Sequence, residues 1–366
     1  MIFCQKCFVD PAIVSVIEDT DVIGVCPICG AKRVHLYDTD QHHTLDGFFD
    51  CLLAVYTAEE DLPSSFPKDE TKSLGETLKQ DWSIFRNIDE DTILSIVKTV
   101  SAQFLADYPQ LFSQSIGIAE KYDIEYLKKY SILHTEKWSD FVEAIKYKNR
   151  FHANLVDTDL LKSYCLAIAK DIPVGKQRFY RGRIAHNETG YTPSEMGPPP
   201  SDIVGDGRAN SAGISRLYLT DNRVTTFHEI RAAEYDYISV GTFKALVPLH
   251  VVDLKRIAQI SPFSGSVDCT VLAINSEHLR RINEEMSKTM RRGDSPLDYL
   301  PTQYIADFVK SITNDDGDPV FDGIEYQSAM HSRGSNLTIF YPEKLKCTYS
   351  QTYEVTQLVY KNRTVK

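Results

Sequence analysis

Several features that mark other classes of protein are missing from this chain. No apolar run is long enough to cross a bilayer, so we expect neither a transmembrane helix nor a membrane partner. The first residues lack the basic start, apolar core and small-residue cleavage site of a signal peptide, which predicts a cytoplasmic location. Positive charge is scarce, with 40 Lys and Arg against 51 Asp and Glu and a net charge of −11. Since nucleic-acid-binding proteins gain most of their affinity from Lys and Arg on phosphates, nucleic acid is not an expected partner.

The chain is long enough for two or three folded domains. It has 366 residues, of which 42% are hydrophobic and 25% are charged, as in ordinary globular proteins. Shifts in composition predict a cysteine-rich region at residues 1–42, a helical domain at residues 43–170 and a domain of mixed α/β structure at residues 171–366. The expected fold class is therefore α+β.

Half of the eight cysteines lie in the first thirty residues, as two Cys-x2-Cys pairs. They are Cys4, Cys7, Cys26 and Cys29. Four thiolates at this spacing are typical of a zinc ribbon, so we expect a structural Zn²⁺ held by these residues. The β-branched runs 12–16 and 22–25 predict strands between the pairs. A redox dithiol is the alternative, and His35 is a weaker substitute ligand.

Zinc ribbons often bind nucleic acid, but they also stabilise segments too small to bury a core. Residues 1–40 carry three basic and six acidic side chains, which gives a net charge of −3. This balance favours a structural staple or a protein-docking module over a nucleic-acid-binding one.

The two longer regions differ in their hydrophobic pattern. Residues 43–170 repeat apolar side chains at helical spacing, as from Phe48 to Tyr56, and carry no evident reaction. From about residue 171, strand-like and helical segments alternate and are interrupted by glycine and proline.

Six short motifs follow one another in the third region. They are Phe179–Arg183, Gly207–Asn210, Leu217–Leu219, Glu229, Asp322–Ser328 and Gly334–Phe340. In this order they resemble the RES domain family, over residues 173–340. The N-terminal cysteines and helices are similar to those of HEPN/RES N-terminal-domain proteins.

The resemblance implies a sheet core similar to that of ADP-ribosyltransferases. It also implies an enzyme that degrades NAD by cleaving the nicotinamide–ribose bond, commonly as the toxin of a toxin–antitoxin pair. Some members of the family transfer the ADP-ribosyl group to water and others to phosphate. A small antitoxin or another regulatory protein is therefore the expected protein partner, and homo-oligomerisation is left open.

Carrying the family motifs over assigns roles to seven residues. The implied catalytic residues are Arg181, Tyr218, Glu229 and Ser328. The implied NAD-binding residues are Gly207, Asn210 and Asn336, and Arg183 and Arg208 are further candidates for binding NAD. Two departures weaken the match: Ala209 stands where many relatives have an aromatic residue, and a proline-rich loop lengthens the gap before Gly207. Which of Arg181, Arg183 and Arg208 meets the pyrophosphate is left open.

Glu229 also fits this chemistry without the family name. Losing nicotinamide leaves positive charge on the ribose, as in glycoside hydrolysis, and a nearby carboxylate stabilises that charge or activates the nucleophile. The sequence places Glu229 on a helix that begins near Asn222. Ser328 is expected to position the ribose or a phosphate, because no Ser-His-Asp set surrounds it.

Three function classes follow from these residues. The first is NAD hydrolysis or phosphorolysis. The second is ADP-ribosyl transfer to a macromolecule, which breaks the same bond. The third is a non-enzymatic adaptor whose ribbon and helices recruit a partner.

Overall fold

The structure, a computed structural model, describes residues 1–151, 154–291 and 293–359. It contains both helices and sheets, which confirms the α+β class. Among these residues, no helix combines the length and apolar character that a membrane span requires. The chain divides into two compact units. The first is Met1–Lys137, Leu155–Ser163 and Ala258–Leu279, and the second is Trp138–Asn154, Tyr164–Ile257 and Arg280–Lys366.

The first unit opens with a small sheet that carries the cysteine pairs. Strands β1, β2 and β3 lie in the order β1-β3-β2, at Ile2–Cys4, Ile23–Val25 and Lys32–Asp38. The second predicted strand is confirmed as β2, but the prediction of a strand at residues 12–16 is wrong.

Those residues belong to helix α1, Pro11–Glu18. Asp10 caps the helix, because its side chain accepts hydrogen bonds from the backbone N–H of Ala12 at 2.9 Å and Ile13 at 3.3 Å. Ile13 and Ile17, four residues apart, are fully buried. The cap and the spacing of these two side chains therefore override the β propensity of the run.

The rest of the first unit is mainly helical, with one further small sheet. Its helices are α2 to α6, at Asp50–Leu53, Leu74–Gln80, Glu90–Val100, Ala102–Asp107 and Ile124–Tyr130. Its strands are β4, β5 and β6, at Thr57–Ala58, Lys72–Ser73 and Ser115–Gly117, in the order β4-β6-β5.

The second unit is built on a mixed sheet of eight strands. They are β7 to β14, at Ala169–Ile172, Phe179–Ala185, Leu217–Thr220, Tyr237–Ala245, Leu249–Asp253, Gly323–Gln327, Ser335–Ile339 and Leu345–Glu354. Their order is β14-β10-β8-β9-β13-β12-β11-β7, and only β11 and β12 are parallel neighbours among the described strands. The remaining helices are α7 to α11, at Trp138–Glu143, Thr158–Ala167, Arg223–Glu229, Cys269–Ser287 and Leu300–Ser311.

The two faces of this sheet differ in chemistry, because successive side chains of a strand point to opposite sides. One face is an apolar core that includes Phe179, Leu217, Leu219, Leu337 and Ile339. The strand pairing places polar and aromatic residues on the other face, namely Tyr180, Tyr218, Thr220, Tyr326, Asn336 and Thr338. The candidate site lies on this second face.

Candidate active site

A cavity of about 600 Å³ lies on the polar face of the sheet. Strands β8, β9, β13 and β12 form its floor, and helix α9 borders it. The close approach of α9 depends on Gly182, since a Cβ there would lie 2.6 Å from Thr226 Cγ2 and 3.1 Å from Ile230 Cδ1. Asn222 caps α9 by accepting from Thr225 N at 2.9 Å, which confirms the predicted helix start.

Glu229 is the last residue of α9 and lines the cavity. Its Oε1 accepts two hydrogen bonds, from Ser328 Oγ at 2.5 Å and from Asn336 Nδ2 at 2.8 Å. The sheet thus brings three of the predicted site residues together. Two donors on one oxygen fix the carboxylate, and no hydrogen bond from the described residues occupies Oε2, which can meet a ligand.

The hydroxyl of Ser328 makes all three of its possible hydrogen bonds within the protein. It donates to Glu229 and accepts from the backbone N–H of Met330 at 3.2 Å and His331 at 3.0 Å. A serine hydroxyl has one donor and two acceptor positions, so none remains for a substrate. Ser328 therefore orients the carboxylate and closes the turn after β12.

Asn336 presents an acceptor beside the carboxylate. A carboxylate can only accept, so the amide nitrogen must face Glu229 and the amide oxygen must face away from it. Asn336 is 7% exposed, and its Oδ1 has no hydrogen-bond partner within the described part of the chain. A buried polar atom without a partner is costly, and a ligand hydroxyl in this cavity could satisfy it.

Tyr218 joins the neighbouring loop Gly207–Asn210 to the sheet. Its Oη donates to Asn210 Oδ1 at 2.7 Å and accepts from Ala209 N at 3.0 Å. Burial raises the pKa of Tyr218, so the phenol is neutral at physiological pH. Gly207 must lack a side chain, because a Cβ would lie 2.4 Å from Asn210 Oδ1 and 2.9 Å from the Tyr218 oxygen.

Helix α11 holds the same loop from the other side. Gln303 is 3% exposed, and its Nε2 donates to the carbonyl oxygens of Gly207 at 3.1 Å and Asn210 at 2.9 Å. Thr302 Oγ1 donates to Arg208 O at 2.6 Å. Sequence reasoning missed both residues, and the one available signal was a polar pair within an otherwise apolar stretch of helix.

Arg181 and Arg183 do not join the carboxylate. They alternate with Tyr180 and Gly182 along β8, so their side chains leave the opposite face of the sheet. Arg181 donates to the carbonyl oxygens of Met196 at 2.9 Å and Gly197 at 2.5 Å.

Both arginines thus hold the 195–197 loop. Arg183 donates to Glu195 O at 2.5 Å and lies over the ring of Tyr191 at 3.9 Å. Burial and the nearby charge of Arg183 lower the pKa of Arg181 to about 10, which still leaves it charged at neutral pH.

Comparisons with known proteins agree with the motifs. The model of the RES domain family matches residues 179–357. The C-terminal region of this chain is a RES domain. A search of curated proteins and a search of solved structures gave no match. The matched range includes Tyr218, Glu229, Ser328 and Asn336.

Arg208 lines the cavity of the RES domain, but its guanidinium is engaged. It donates to Glu285 O at 2.6 Å and to Lys288 O, at the C-terminal end of α10. Carbonyl groups at a helix C-terminus lack partners within the helix and carry partial negative charge. Arg208 therefore caps α10 as well as bordering the site.

The four N-terminal cysteines form a second candidate site, outside the RES domain. Their sulfur atoms all lie within 4.8 Å of one another, with separations of 3.9 Å for Cys4–Cys7, 3.5 Å for Cys4–Cys29 and 3.7 Å for Cys7–Cys26. Four sulfurs about 2.3 Å from a tetrahedral ion lie ~3.8 Å apart, so the cluster could hold a metal. Burial raises the pKa of Cys4 to about 12, and metal binding must release such thiol protons.

Proposed function

We propose that the RES domain cleaves NAD at the nicotinamide–ribose bond, as a glycohydrolase or a phosphorylase, and that the protein is a toxin or defence effector. The single observation that carries the proposal is the carboxylate of Glu229, fixed by Ser328 and Asn336 at the wall of a cavity of about 600 Å³. That volume lies within the range of small-molecule sites. RES domains are associated with NAD-related toxins, and an ADP-ribosyltransferase-like sheet core is part of the same proposal.

The chemistry follows from the charge that develops on the sugar. As the bond to the pyridinium breaks, nicotinamide leaves as a neutral group and the ribose becomes positively charged. A carboxylate that is already oriented stabilises this charge without reorganising. Glu229 can also orient the incoming water or phosphate through its free Oε2.

The acceptors at the site suit a ribose. Glu229 Oε2 and Asn336 Oδ1 both accept hydrogen bonds, and sugar hydroxyl groups supply donors. Tyr299 and Tyr326 also line the cavity and offer aromatic surface to a base or a nicotinamide ring.

Zn²⁺ is the ion proposed for the four cysteines. A set of four sulfur ligands leaves no open position for a substrate, so the ion stabilises the N-terminal segment and takes no part in NAD cleavage. RES domains commonly pair with antitoxins, so a regulatory protein partner belongs to the proposal.

The decisive experiment incubates the purified, zinc-loaded protein with NAD, with and without phosphate. We expect release of nicotinamide together with ADP-ribose, or with ADP-ribose 1″-phosphate when phosphate is the acceptor. Label transferred to protein or nucleic acid would instead indicate ADP-ribosyl transfer. A folded sample that releases no nicotinamide would overturn the proposal and favour an adaptor.

Glu229→Gln tests the role of the carboxylate. Glutamine keeps an oxygen that can accept from Ser328 and Asn336, so the fold should persist while the charge is lost. We expect nicotinamide release to fall about 10²- to 10⁴-fold. Glu234→Gln, on an exposed side chain five residues later, is the control and should keep full activity. Wild-type turnover by a folded Glu229→Gln variant would remove Glu229 from the mechanism.

A further inference from the structure

Besides Arg181, whose side chain leaves the opposite face of the sheet, three arginines border the cavity of the RES domain: Arg208, Arg231 and Arg291. Arg208 already donates to two backbone carbonyl oxygens, those of Glu285 and Lys288. A guanidinium held in this way can reach a phosphate only by giving up a bond that stabilises the fold.

Arg231 is engaged in the same manner. Its backbone adopts a positive φ of 51°, and its guanidinium donates to Met290 O. Arg208 and Arg231 thus hold the segment 285–290 from two sides, and Thr289 Oγ1 adds a bond to Ala329 O at 3.0 Å. This segment forms one wall of the cavity, with Met290 and Arg291 facing it.

Arg291 differs from the other two. Its side chain is exposed and lines the cavity. Within residues 1–151, 154–291 and 293–359, its guanidinium has no hydrogen-bond or ion-pair partner, and only its backbone N–H is used, donating to Asp294 Oδ2 at 2.7 Å. Asp294 also lines the cavity.

We propose that Arg291 binds the phosphate groups of the anionic ligand that enters this cavity. A guanidinium offers paired N–H donors that match phosphate oxygens, and an unengaged one loses no internal bond on binding. Arg208 and Arg231 anchor the segment 285–290, which forms the cavity wall next to Arg291. These two arginines therefore position the wall, and Arg291 binds the ligand. The choice of a dinucleotide as that ligand rests on the proposed function.

The test measures ADP binding by calorimetry together with NAD turnover. We expect Arg291→Ala to raise the Kd for ADP about 10- to 100-fold, and to raise KM for NAD with little change in kcat. Arg291→Lys should retain part of the affinity. Arg280→Ala, which removes an equal charge from an arginine paired with Glu284 on α10, is the control and should bind as wild type.

The outcomes separate this inference from the proposed function. Wild-type ADP affinity and KM in a folded Arg291→Ala variant would overturn the role of Arg291, even if NAD is cleaved. Failure of ADP to bind the wild-type protein would overturn it too. Weakened ADP binding in a protein that does not cleave NAD would support Arg291 and reject the NAD-cleaving function.

A separate observation concerns two cysteines outside the four-sulfur cluster. Cys51 on α2 is exposed, Cys269 at the start of α10 is buried, and their sulfur atoms lie 3.3 Å apart. Phe263 holds the two segments together, because its ring lies 4.9 Å from that of Phe48 and 5.0 Å from that of Phe49.

This pair lacks the ligands of a metal site. Among the described residues, the four N-terminal cysteines are the group of three or more metal-binding side chains, and neither Cys51 nor Cys269 belongs to it. Two thiols in contact, one open to solvent and one sheltered, have instead the arrangement that thiol–disulfide exchange requires.

We infer that Cys51 and Cys269 form a reversible disulfide by exchange with a small disulfide such as oxidised glutathione. The Cys51 thiolate attacks one sulfur of the reagent and releases one glutathione thiol. The Cys269 thiolate then attacks Cys51 Sγ and releases the second. The protein loses two protons and two electrons, and the reagent is reduced to two thiols.

Mass spectrometry of the zinc-loaded protein tests this inference. After treatment with oxidised glutathione, we expect the loss of two hydrogens, a linked peptide containing both cysteines, and a Tm higher by on the order of 5–10 °C. Cys347→Ser should behave as wild type, whereas Cys269→Ser should stop at a glutathione adduct on Cys51. A stable adduct on wild-type Cys51, or no reaction, would overturn the inference.

Discussion

The cysteine cluster and the RES cavity gather their functional side chains in opposite ways. The cluster draws its four sulfurs from two Cys-x2-Cys turns, each a local feature. The cavity draws Glu229 from a helix, Ser328 from the turn after β12 and Asn336 from β13, and the last two come about one hundred residues later in the chain. The cysteine cluster is therefore recognisable from short residue spacings, whereas the RES cavity forms only when the sheet brings distant residues together.

The difference extends to what holds each site together. A structural zinc ion contributes a binding energy that is large compared with the stability of a domain. The carboxylate depends on individual hydrogen bonds to a charged group, each worth about 1.5–3 kcal/mol. We therefore expect loss of the metal to unfold the whole cluster. Loss of one hydrogen bond should weaken the cavity only in part.

Removing the metal should have the largest effect. If the cysteines hold zinc as proposed, chelation removes roughly 10–16 kcal/mol of binding energy. We expect the amides of residues 1–38 to lose protection in hydrogen exchange. Cys4→Ser should act like the chelator, whereas Cys347→Ser should keep one zinc per chain. An ordered metal-free N-terminus would contradict this prediction and weaken the contrast between the sites.

Among single substitutions in the loop Gly207–Asn210 and the side chains that hold it, Gly207→Ala should lower stability the most. Its Cβ would lie 2.4 Å from Asn210 Oδ1, so the loop must move. We expect a loss of about 2–3 kcal/mol in thermal unfolding, with reduced turnover. Gly205→Ala is the control, because a Cβ there meets nothing within 4 Å. Equal stability of both variants would show that the loop tolerates displacement.

Ser328→Ala removes a donor to Glu229 and the acceptor for two backbone N–H groups. We expect a stability loss of about 1–2 kcal/mol and a 10- to 100-fold fall in nicotinamide release, because the carboxylate loses one of its two anchors. Ser332→Ala, on an exposed side chain, should change neither quantity. Unaltered turnover in Ser328→Ala would mean that Asn336 alone suffices to orient Glu229.

Tyr218→Phe should have the smallest effect. It removes the hydroxyl that joins Ala209 N and Asn210 Oδ1, while Gln303 still holds the loop. We expect a loss of about 1 kcal/mol and a less than ten-fold change in turnover. Tyr235 is 73% exposed, so Tyr235→Phe is the control and should change neither stability nor turnover. A loss as large as that of Glu229→Gln would place the Tyr218 hydroxyl in the chemistry itself.

Local patterns predicted the parts that local structure governs. The helix of Glu229 begins at Asn222 as expected, because an N-cap is recognisable within four residues. The β-branched residues at 12–16 predict a strand, but Asp10 and Pro11 just before them start a helix. The prediction was wrong because it considered the run without these two residues. The polar pair of Thr302 and Gln303 was the one local signal for Gln303, and it could not indicate the partners of Gln303, because they lie more than ninety residues earlier.

The sequence alone indicates four closely spaced cysteines that could bind a metal, a helix that begins near Asn222 and carries Glu229, and the ordered motifs of a RES domain. Only the tertiary structure decided that Ser328 and Asn336 share one oxygen of Glu229, and that Arg181 and Arg183 lie on the opposite side of the sheet. It also decided that Arg208 caps a helix, whereas the guanidinium of Arg291 has no partner in the part of the chain that the structure describes. The physical reason is range: residue spacing sets backbone geometry over a few residues, whereas strand order and the face on which α9 packs depend on contacts across the whole domain.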